Sequence, residues 1–446
     1  MNTQKEISIG WTFFWFILPL LLRDASTAII QPISIFIINR YSFTDYHLIT
    51  SACAVYNNIF SFIALISGFF CYGTISKTSR LIGTKKDYEV YTNFARTLFI
   101  GICIASLIVM LQSPIKMIFL NQLNNLNSSI VEDADVYYSI RIYKTIPDIA
   151  ILCFYGWFFG MQKTKFPAII TVIFCFTFNI SEIILATNGG LNLKSHAITQ
   201  LIFSFLELAL CIVCMVKYFP EVKKHLSFNN IFDKKQLIEF AKFNIPLPLD
   251  KICKFTGTLL LFYSFKKFNH EIIIIRSVSS LAFIYNIFSN CSYIFSYATI
   301  ALCGKFYGEG NMALFRKAIY KITLFHLCFA VLLACICYTY SGIWIEALAE
   351  YGITDISKLY IILFLTILII FAEAILSILE GAVIGSGKST ALLLSSLIGF
   401  LLSAIICLAL HNISLCAFWL TLLIFTCVKS GAIYIYITKK IKTNLE

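Results

Sequence analysis

Charged and polar side chains stand at helical spacing inside the long apolar runs of this chain, where they could hold a proton, a Na⁺ ion or a charged ligand. The first run carries one set at intervals of three and four residues: Asp24, Thr27, Gln31 and Ser34. Such intervals place all four on one side of a helix that is otherwise largely apolar. A charge in a hydrocarbon environment costs roughly 2.5–3.5 kcal/mol, which makes Asp24 a candidate cation site, with Gln31 and Ser34 beside it. A polar contact with a neighbouring helix is the alternative.

The second set lies in the other half of the chain, directly after two prolines. Asp250 and Lys254 are four residues apart and can pair within one helix. Lys251 has no acid at that spacing, so it needs a partner from another helix or from a ligand. Asp250 is therefore a second candidate cation site, and the two lysines are candidates for lining a cavity.

Two further runs carry acids close to other charges. Lys144 can pair with Asp148 four residues later, while Arg141 stands near one end of the run, where its head group is expected to reach the interface. Asp148 joins the cavity candidates. Glu373 and Glu380 are seven residues apart on one face. Glu373 lies deeper and is the stronger candidate cation site, whereas Glu380 is placed to cap a turn.

Amides and phenols form one more stripe, at Asn286, Asn290, Tyr293 and Tyr297. These groups suit the wall of a solvated cavity, and hydrogen bonds between helices would explain them equally well. Glu207 stands in the middle of another apolar run.

The apolar runs themselves indicate a membrane protein. Of the 446 residues, 59% are hydrophobic and 13% are charged, and the mean hydropathy is +0.83. A soluble protein of this size could not cover its surface with so few charges. Because a helix needs roughly 20 apolar residues to cross the hydrocarbon core, about twelve spans are predicted. They lie near 11–38, 52–75, 95–119, 137–161, 166–187, 196–218, 240–265, 274–303, 318–345, 357–386, 389–410 and 412–437.

The net charge of +12 has a topological explanation. If the N-terminus is inside, most basic residues fall in the inside segments, and the opposite loops carry acids such as Glu132 and Asp355. This positive-inside pattern predicts the cytoplasmic (inner) membrane, with both termini cytoplasmic. Anionic lipid headgroups are then the partner of the basic residues, and nucleic acid is not expected.

Two pairs of segments repeat at a constant separation. FCYGTI at 70–75 is similar to FSYATI at 295–300, and each is followed by a cation and a glycine, the glycines being Gly83 and Gly308. Gly156 and Gly160 match Gly381 and Gly385 at the same offset of 225 positions. An offset of half the chain indicates a duplication, which is typical of two-lobed transporters. The predicted domains are 1–218, a linker at 219–240, and 241–446.

The sixteen cysteines are scattered through the spans and are interpreted as packing residues, and no metal site is predicted. Among the six histidines only His326 lies deep in a span, where a satisfied packing role is favoured. A catalytic constellation of histidines and acids at one membrane face is not found, so an enzyme is not expected.

Three segments close spans and enter turns: residues 68–87 (GFFCYGTISKTSRLIGTKKD), 155–164 (YGWFFGMQKT) and 380–387 (EGAVIGSG). They resemble the ends of the second, fourth and tenth helices of multidrug and toxic compound extrusion (MATE) transporters, particularly the DinF-like branch. The resemblance extends over most of the chain. It implies an all-α polytopic membrane protein with about twelve helices in two pseudo-symmetric six-helix bundles.

The chain departs from this family at acidic positions. The resemblance places Ser34 where the first helix usually has an aspartate for cation coupling, and Ile300 where the eighth helix usually has a glutamate. In the fifth helix, Glu182 falls where an aspartate is usual, just after Asn179. Asp24, Glu182, Asp250 and Glu373 are therefore the coupling-ion candidates. The cavity candidates are Gln31, Ser34, Asp148, Asn179, Lys251, Lys254, Asn286, Asn290 and Tyr293.

The resemblance implies a secondary active efflux transporter that works by alternating access, exchanging H⁺ or Na⁺ for organic compounds, cations first. The small-molecule substrate and membrane lipids are then its partners. A monomer is expected, and no cofactor beyond the coupling ion. Because Arg141, Lys251 and Lys254 would repel a cation unless neutralised, export or flipping of an anionic or lipid-linked substrate is the alternative.

Overall fold

A computed structural model describes residues 2–41, 46–120, 128–222, 232–254, 256, 292–339, 356–409 and 415–441. Within these ranges the secondary structure is helical throughout and no strand is present. The predicted all-α class is therefore confirmed.

The first half of the chain forms long helices joined by short turns. Two of the predicted spans are divided: the one near 95–119 at Leu111, and the one near 137–161 by a 3₁₀ turn at Ile142–Lys144. Pro147 explains the second division, because its ring removes a backbone donor and disfavours a continuous helix. The helices are α1 (Asn2–Tyr41), α2 (Tyr46–Gly83), α3 (Asp87–Met110), α4 (Gln112–Leu120), α5 (Ser128–Arg141), α6 (Thr145–Gly160), α7 (Lys165–Thr187) and α8 (Leu193–Tyr218).

The second half is helical in the same way. Its helices are α9 (Lys234–Asn244), α10 (246–254), α11 (292–308), α12 (Met312–Thr339), α13 (Ile356–Gly385), α14 (Ser389–Ala409) and α15 (Leu415–Tyr436), which a π-helical turn, Ile437–Ile441, extends. Among the described residues, eight helices are long and apolar enough to cross a membrane. Several predicted spans, among them 240–265 and 274–303, run outside those residues.

Contacts divide the chain into two compact units. The N unit is Trp15–Ile238, and the C unit is Glu239–Glu446 together with Met1–Phe14. The predicted domain boundaries at 218 and 241 stay a prediction.

The same close helix contact is found in both units. In the N unit a Cβ placed on Gly156 of α6 would lie 2.6 Å from the Cys71 carbonyl oxygen and 2.9 Å from Thr74 Cβ on α2. In the C unit a Cβ on Gly381 of α13 would lie 3.1 Å from the Ser296 carbonyl oxygen and 2.9 Å from the Cβ of the threonine at 299. Each residue of the second contact is 225 positions after its counterpart, so the duplication is visible in the packing.

The turns repeat as well. Lys85 and Gly310 both have positive φ angles, of 58° and 71°, and Gln162 and Gly387 have φ angles of 60° and 80°. These pairs again stand 225 positions apart. Since the left-handed conformation is uncommon outside glycine, two coincidences at one offset confirm that the chain contains two copies of one helical unit.

Gly156→Ala is expected to destabilise the N unit by about 1–3 kcal/mol, because the new methyl group would overlap the backbone of α2. Thermal unfolding of the purified protein in detergent would measure this loss. Gly431→Ala is the matched control, since a Cβ there has nothing within 4 Å. Equal stability of the two variants would contradict the close contact.

Candidate functional site

The C unit contains a group of charged side chains that pair with one another between three of its helices. We call it the C cluster. It has three lysines and three carboxylates on helices α10, α13 and α15: Asp250, Lys251, Lys254, Glu373, Glu380 and Lys429.

Lys429 is the most deeply placed member. Its side chain is 0% exposed, and its Nζ lies 2.8 Å from Asp250 Oδ1 and 2.5 Å from Glu380 Oε1. Asp250 also accepts a hydrogen bond of 2.5 Å from the hydroxyl of Ser396 on α14. A buried charge is tolerated only when it is paired in this way, so these contacts allow the site to exist in an apolar bundle.

The two lysines of α10 lie at the partly exposed edge of the C cluster. Lys251 Nζ is 3.0 Å from Glu380 Oε2, so the expectation of a partner from another helix is confirmed. Lys254 Nζ is 2.6 Å from Glu373 Oε1. Glu380 therefore joins the buried charges, and its predicted role as a turn cap is wrong because Lys429 draws it into the bundle.

The N unit contains a second polar group, along one face of α8. We call it the N cluster. Hydrogen bonds join α8 to helices α5, α6 and α7, and Arg23 of α1 interacts electrostatically with Glu207. The members are Arg23, Asp24, Arg141, Lys144, Asp148, Tyr155, Glu182, His196, Gln200, Ser204 and Glu207.

Glu182 is the most buried carboxylate of the N cluster, at 3% exposed. Its Oε2 is 2.7 Å from His196 Nδ1, and His196 Nε2 is 2.9 Å from Gln200 Nε2. The other carboxylate oxygen, Oε1, is buried and has no hydrogen-bond partner within the described part of the chain. A buried oxygen in this state is costly, so it is a place where a proton or a cation would be stabilised.

Arg141 lies at the same end of the N cluster as Glu182 and His196. Its guanidinium donates to Gln200 and lies 4.7 Å from the ring centre of Phe60 and 5.8 Å from that of Tyr137. Aromatic faces and an amide thus hold the guanidinium against α2, α5 and α8, and its predicted reach to the membrane interface stays a prediction.

Two more carboxylates of the N cluster are Asp148 on α6 and Glu207 in the C-terminal half of α8. Lys144 Nζ is 2.6 Å from both oxygens of Asp148, which confirms the predicted pair, and the Ser204 hydroxyl donates to Asp148 at 2.5 Å. Glu207 accepts a hydrogen bond of 2.5 Å from the hydroxyl of Tyr155.

The structure places the remaining sequence candidates as follows. Asp24 pairs with its neighbour Arg23 at 2.6 Å, although the two positions point about 100° apart on the helix, because the arginine side chain is long enough to turn back. Asn179 donates to the Cys175 carbonyl at 2.7 Å. Tyr293 is 39% exposed and within electrostatic range of Lys251. The side chains of Gln31 and Ser34, and residues Asn286 and Asn290, lie outside the described residues.

Three positions of the two clusters are equivalent in the duplication. Asp148 and Tyr155 of the N unit correspond, 225 positions later, to Glu373 and Glu380. In the last helix of each unit the offset is 222, because TQLIFS at 199–204 matches TLLIFT at 421–426, so Glu207 corresponds to Lys429. The contacts agree, since Tyr155 bonds to Glu207 as Glu380 pairs with Lys429. The two copies thus use the same interior positions for polar groups, and the C unit carries more charge at them.

Sequence reasoning missed Lys429, His196 and Gln200. Lys429 offered a signal, since it is a lysine in the middle of an apolar run. His196 and Gln200 are four residues apart and continue through Ser204 to Glu207, so the polar face of α8 was also readable from spacing. His326 is buried and bonded to the Ala374 carbonyl at 3.0 Å, in the predicted packing role.

The apolar helices, the duplicated units and the buried charges define a multi-pass membrane transporter of the two-lobed class. A family model, MatE, matches residues 19–184 and 276–409. The chain therefore belongs to the MATE family, which is a family of transporters and not of enzymes. No curated protein matches it closely enough to be named.

Solved MATE structures share the fold over nearly the whole chain. A point mutant of the MATE transporter VcmN from Vibrio cholerae has a TM-score of 0.84 and 15% identity, covering 99% of each chain. A MOP superfamily transporter from Pyrococcus furiosus, described as having a binding pocket of reverse polarity, has a TM-score of 0.81 and 13% identity, covering 97% of this chain and 96% of its own. The eukaryotic MATE transporter AtDTX14 has a TM-score of 0.76 and 13% identity, covering 99% and 98%.

Lys254→Met is expected to destabilise the C unit more than the double change Lys254→Met with Glu373→Gln. The single change leaves a carboxylate without its lysine, whereas the double change removes both charges, so a coupling energy of about 0.5–3 kcal/mol is expected. Thermal unfolding of the four proteins of this cycle would measure it.

The exposed pair Lys86 and Glu89, 2.9 Å apart, supplies the matched control cycle with the same substitutions. Its coupling energy should be near zero, at most about 1 kcal/mol, because water screens both groups. Equal coupling in the two cycles would contradict the importance of the buried pair.

Proposed function

We propose that this MATE transporter is a secondary active exporter that exchanges protons for organic compounds, cations first among them, by alternating access. The observation that carries the proposal is Glu182, a buried carboxylate with one oxygen on His196 and the other without a hydrogen-bond partner among the described residues. A proton on this pair would supply the missing donor or neutralise the charge.

A proton suits this place better than Na⁺. Hard metal cations bind several oxygen ligands together. The described contact of Glu182 is instead an imidazole nitrogen, and Tyr137 of α5 stacks on that imidazole with 6.1 Å between ring centres. Arg141, also from α5, supplies a nearby positive charge. It donates to Gln200, and Gln200 in turn contacts His196. A positive charge beside the pair of Glu182 and His196 disfavours the binding of a metal ion there.

The balance of charges in the N cluster supports exchange of a proton for a cation. The cluster has four carboxylates and three basic side chains when His196 is neutral, as the ionisable members named above show. One negative charge is therefore left over. A proton or a monovalent organic cation would neutralise it, so the two compete for the same charge, which is the requirement for antiport.

We rank an anionic or lipid-linked substrate second, because the charges of the basic residues are balanced. Lys251 and Lys254 lie against the carboxylates of Glu380 and Glu373. Arg141 lies against neutral groups, the aromatic rings and Gln200, but the N cluster that contains it has one more carboxylate than basic side chains. Neither cluster has an excess of positive charge.

The available driving force is sufficient for such an exchange. One proton exchanged for one monovalent cation moves no net charge, so the pH gradient drives it with about 1.4 kcal/mol per pH unit. The proposal includes the inner membrane and cytoplasmic termini, which the basic residues of the inside turns support, and a monomer as the working unit.

Proteoliposomes with an acidic lumen should accumulate ethidium, a fluorescent organic cation, when they contain the wild-type protein. Glu182→Gln should reduce this rate to that of protein-free vesicles, because the amide cannot take up and release the proton. Glu182→Asp should retain part of the rate. A Na⁺ gradient without a pH gradient should drive no ethidium movement.

Binding of ethidium to the purified protein separates coupling from a structural defect. Wild-type affinity should rise with pH, as the competing proton leaves, and Glu182→Gln should bind weakly and independently of pH. Glu89→Gln, the same change on an exposed carboxylate, is the control and should behave as wild type. Asp24→Asn tests the other N-unit acid. Full pH-driven transport by Glu182→Gln would disprove the assignment.

A further inference from the structure

Four side chains of the C cluster form a closed ring of alternating positive and negative charges. They are Lys429, Asp250, Lys251 and Glu380. Asp250 gives one oxygen to each of two lysines, with Oδ1 at 2.8 Å from Lys429 and Oδ2 at 3.6 Å from Lys251. Glu380 does the same, with Oε1 at 2.5 Å from Lys429 and Oε2 at 3.0 Å from Lys251. Two ammonium groups and two carboxylates thus neutralise each other.

Within this ring the two lysines differ in their access to water. The side chain of Lys251 is 22% exposed, whereas that of Lys429 is 0% exposed. Lys429 lies well inside the length of α15, and its ammonium is buried away from water within the C unit. Two carboxylates and a hydroxyl, that of Ser396, surround this place, which is the oxygen-rich environment that a monovalent cation would require.

We propose that the ammonium of Lys429 is a resident cation, which occupies the cation site formed by Asp250, Glu380 and Ser396. The C unit then takes up no coupling ion in the transport cycle. This inference concerns the C unit and goes beyond the proton site proposed at Glu182, which lies in the other unit.

The duplication supports this assignment, because it shows what the other copy has at the same positions. The counterpart of Lys429 is Glu207, and the counterpart of Glu380 is Tyr155, which donates to Glu207. The N-unit pair therefore carries one negative charge, whereas the pair of Glu380 and Lys429 is neutral. The N cluster has an excess carboxylate, and the C cluster has equal numbers of lysines and carboxylates. This exchange of one pair accounts for the difference between a unit that can take up a cation and one that already holds it.

Removal of the ammonium should expose the site. In Lys429→Ala, two carboxylates face only Lys251, and one buried negative charge is left over. A small monovalent cation or a proton should then bind between Asp250 and Glu380. Among the described residues, the other ionisable groups facing the ring are Lys254 and Glu373, from α10 and α13, the thiol of Cys253, from α10, and the phenol of Tyr293, from α11.

Thermal unfolding of purified protein in detergent tests this without any transport substrate. Samples contain increasing NaCl, with choline chloride keeping the ionic strength constant. The wild type should show no Na⁺-specific shift in Tm. Lys429→Ala should have a lower Tm in choline, which rises with the logarithm of Na⁺ concentration or rises as the pH falls.

The double variant Lys429→Ala with Glu380→Gln is the matched control. It removes one positive and one negative charge, so its Tm should again be insensitive to Na⁺ and to acid. A Lys429→Ala protein whose Tm is unchanged by both would overturn the proposal. So would a double variant that keeps the full cation response.

If Lys429→Ala does not fold, the same Tm measurement on the wild-type protein tests the proposal. A Na⁺-specific rise in its Tm that Asp250→Asn abolishes would show that the C cluster binds the ion while Lys429 is present, and the proposal would be wrong. The absence of any such rise supports it. These results are separate from the ethidium experiments, because Glu182→Gln changes proton coupling and leaves the C unit intact.

Discussion

The cost of placing a charge among apolar helices governs the interior of this protein. An isolated buried ion is so unfavourable that it survives only with a counter-ion or a strong hydrogen bond. Lys429, Asp250 and Glu380 meet this requirement together in the C unit. The carboxylate of Glu182 meets it only in part, since one of its oxygens has no hydrogen-bond partner in the described structure. The contrast between a complete and an incomplete pairing is the basis of the functional assignments.

The duplication explains why the two polar groups can be compared residue by residue. Small residues at Gly156 and Gly381 let helices approach until backbone and threonine side chains touch, and this packing is the same in both units. With the helices held in one arrangement, the same interior positions face inward in each copy. Substitution at those positions, such as glutamate at 207 and lysine at 429, then changes the charge of a unit without altering the arrangement of its helices.

Membership of the MATE family establishes transport, and the chemistry of coupling depends on residues that differ within this chain. Ser34 and Ile300 stand where acids are usual in the branch that the sequence resembles. The Ile300 backbone carbonyl instead lies where a Cβ on Gly385 would come within 2.9 Å, so this position serves packing. Asp24 stands ten residues before Ser34 on α1, and the other acids of the two clusters lie on other helices, each beside its own partner. The proposed proton site at Glu182 would therefore keep the fold and use a different acid.

The sequence by itself determined the class, the helices and the duplication. The length of an apolar run indicates a membrane span, and a constant offset between similar segments indicates two copies. Both can be read along the linear sequence. Spacing along a helix also identified which residues share a face, as for Lys144 with Asp148. Only the tertiary structure decided which helix lies opposite each face. It brought Lys429 to Asp250 from 179 positions away, and it placed His196 beside Glu182 across a turn between helices. Periodicity describes one helix at a time, whereas the stability of a buried charge depends on the partner that another helix supplies.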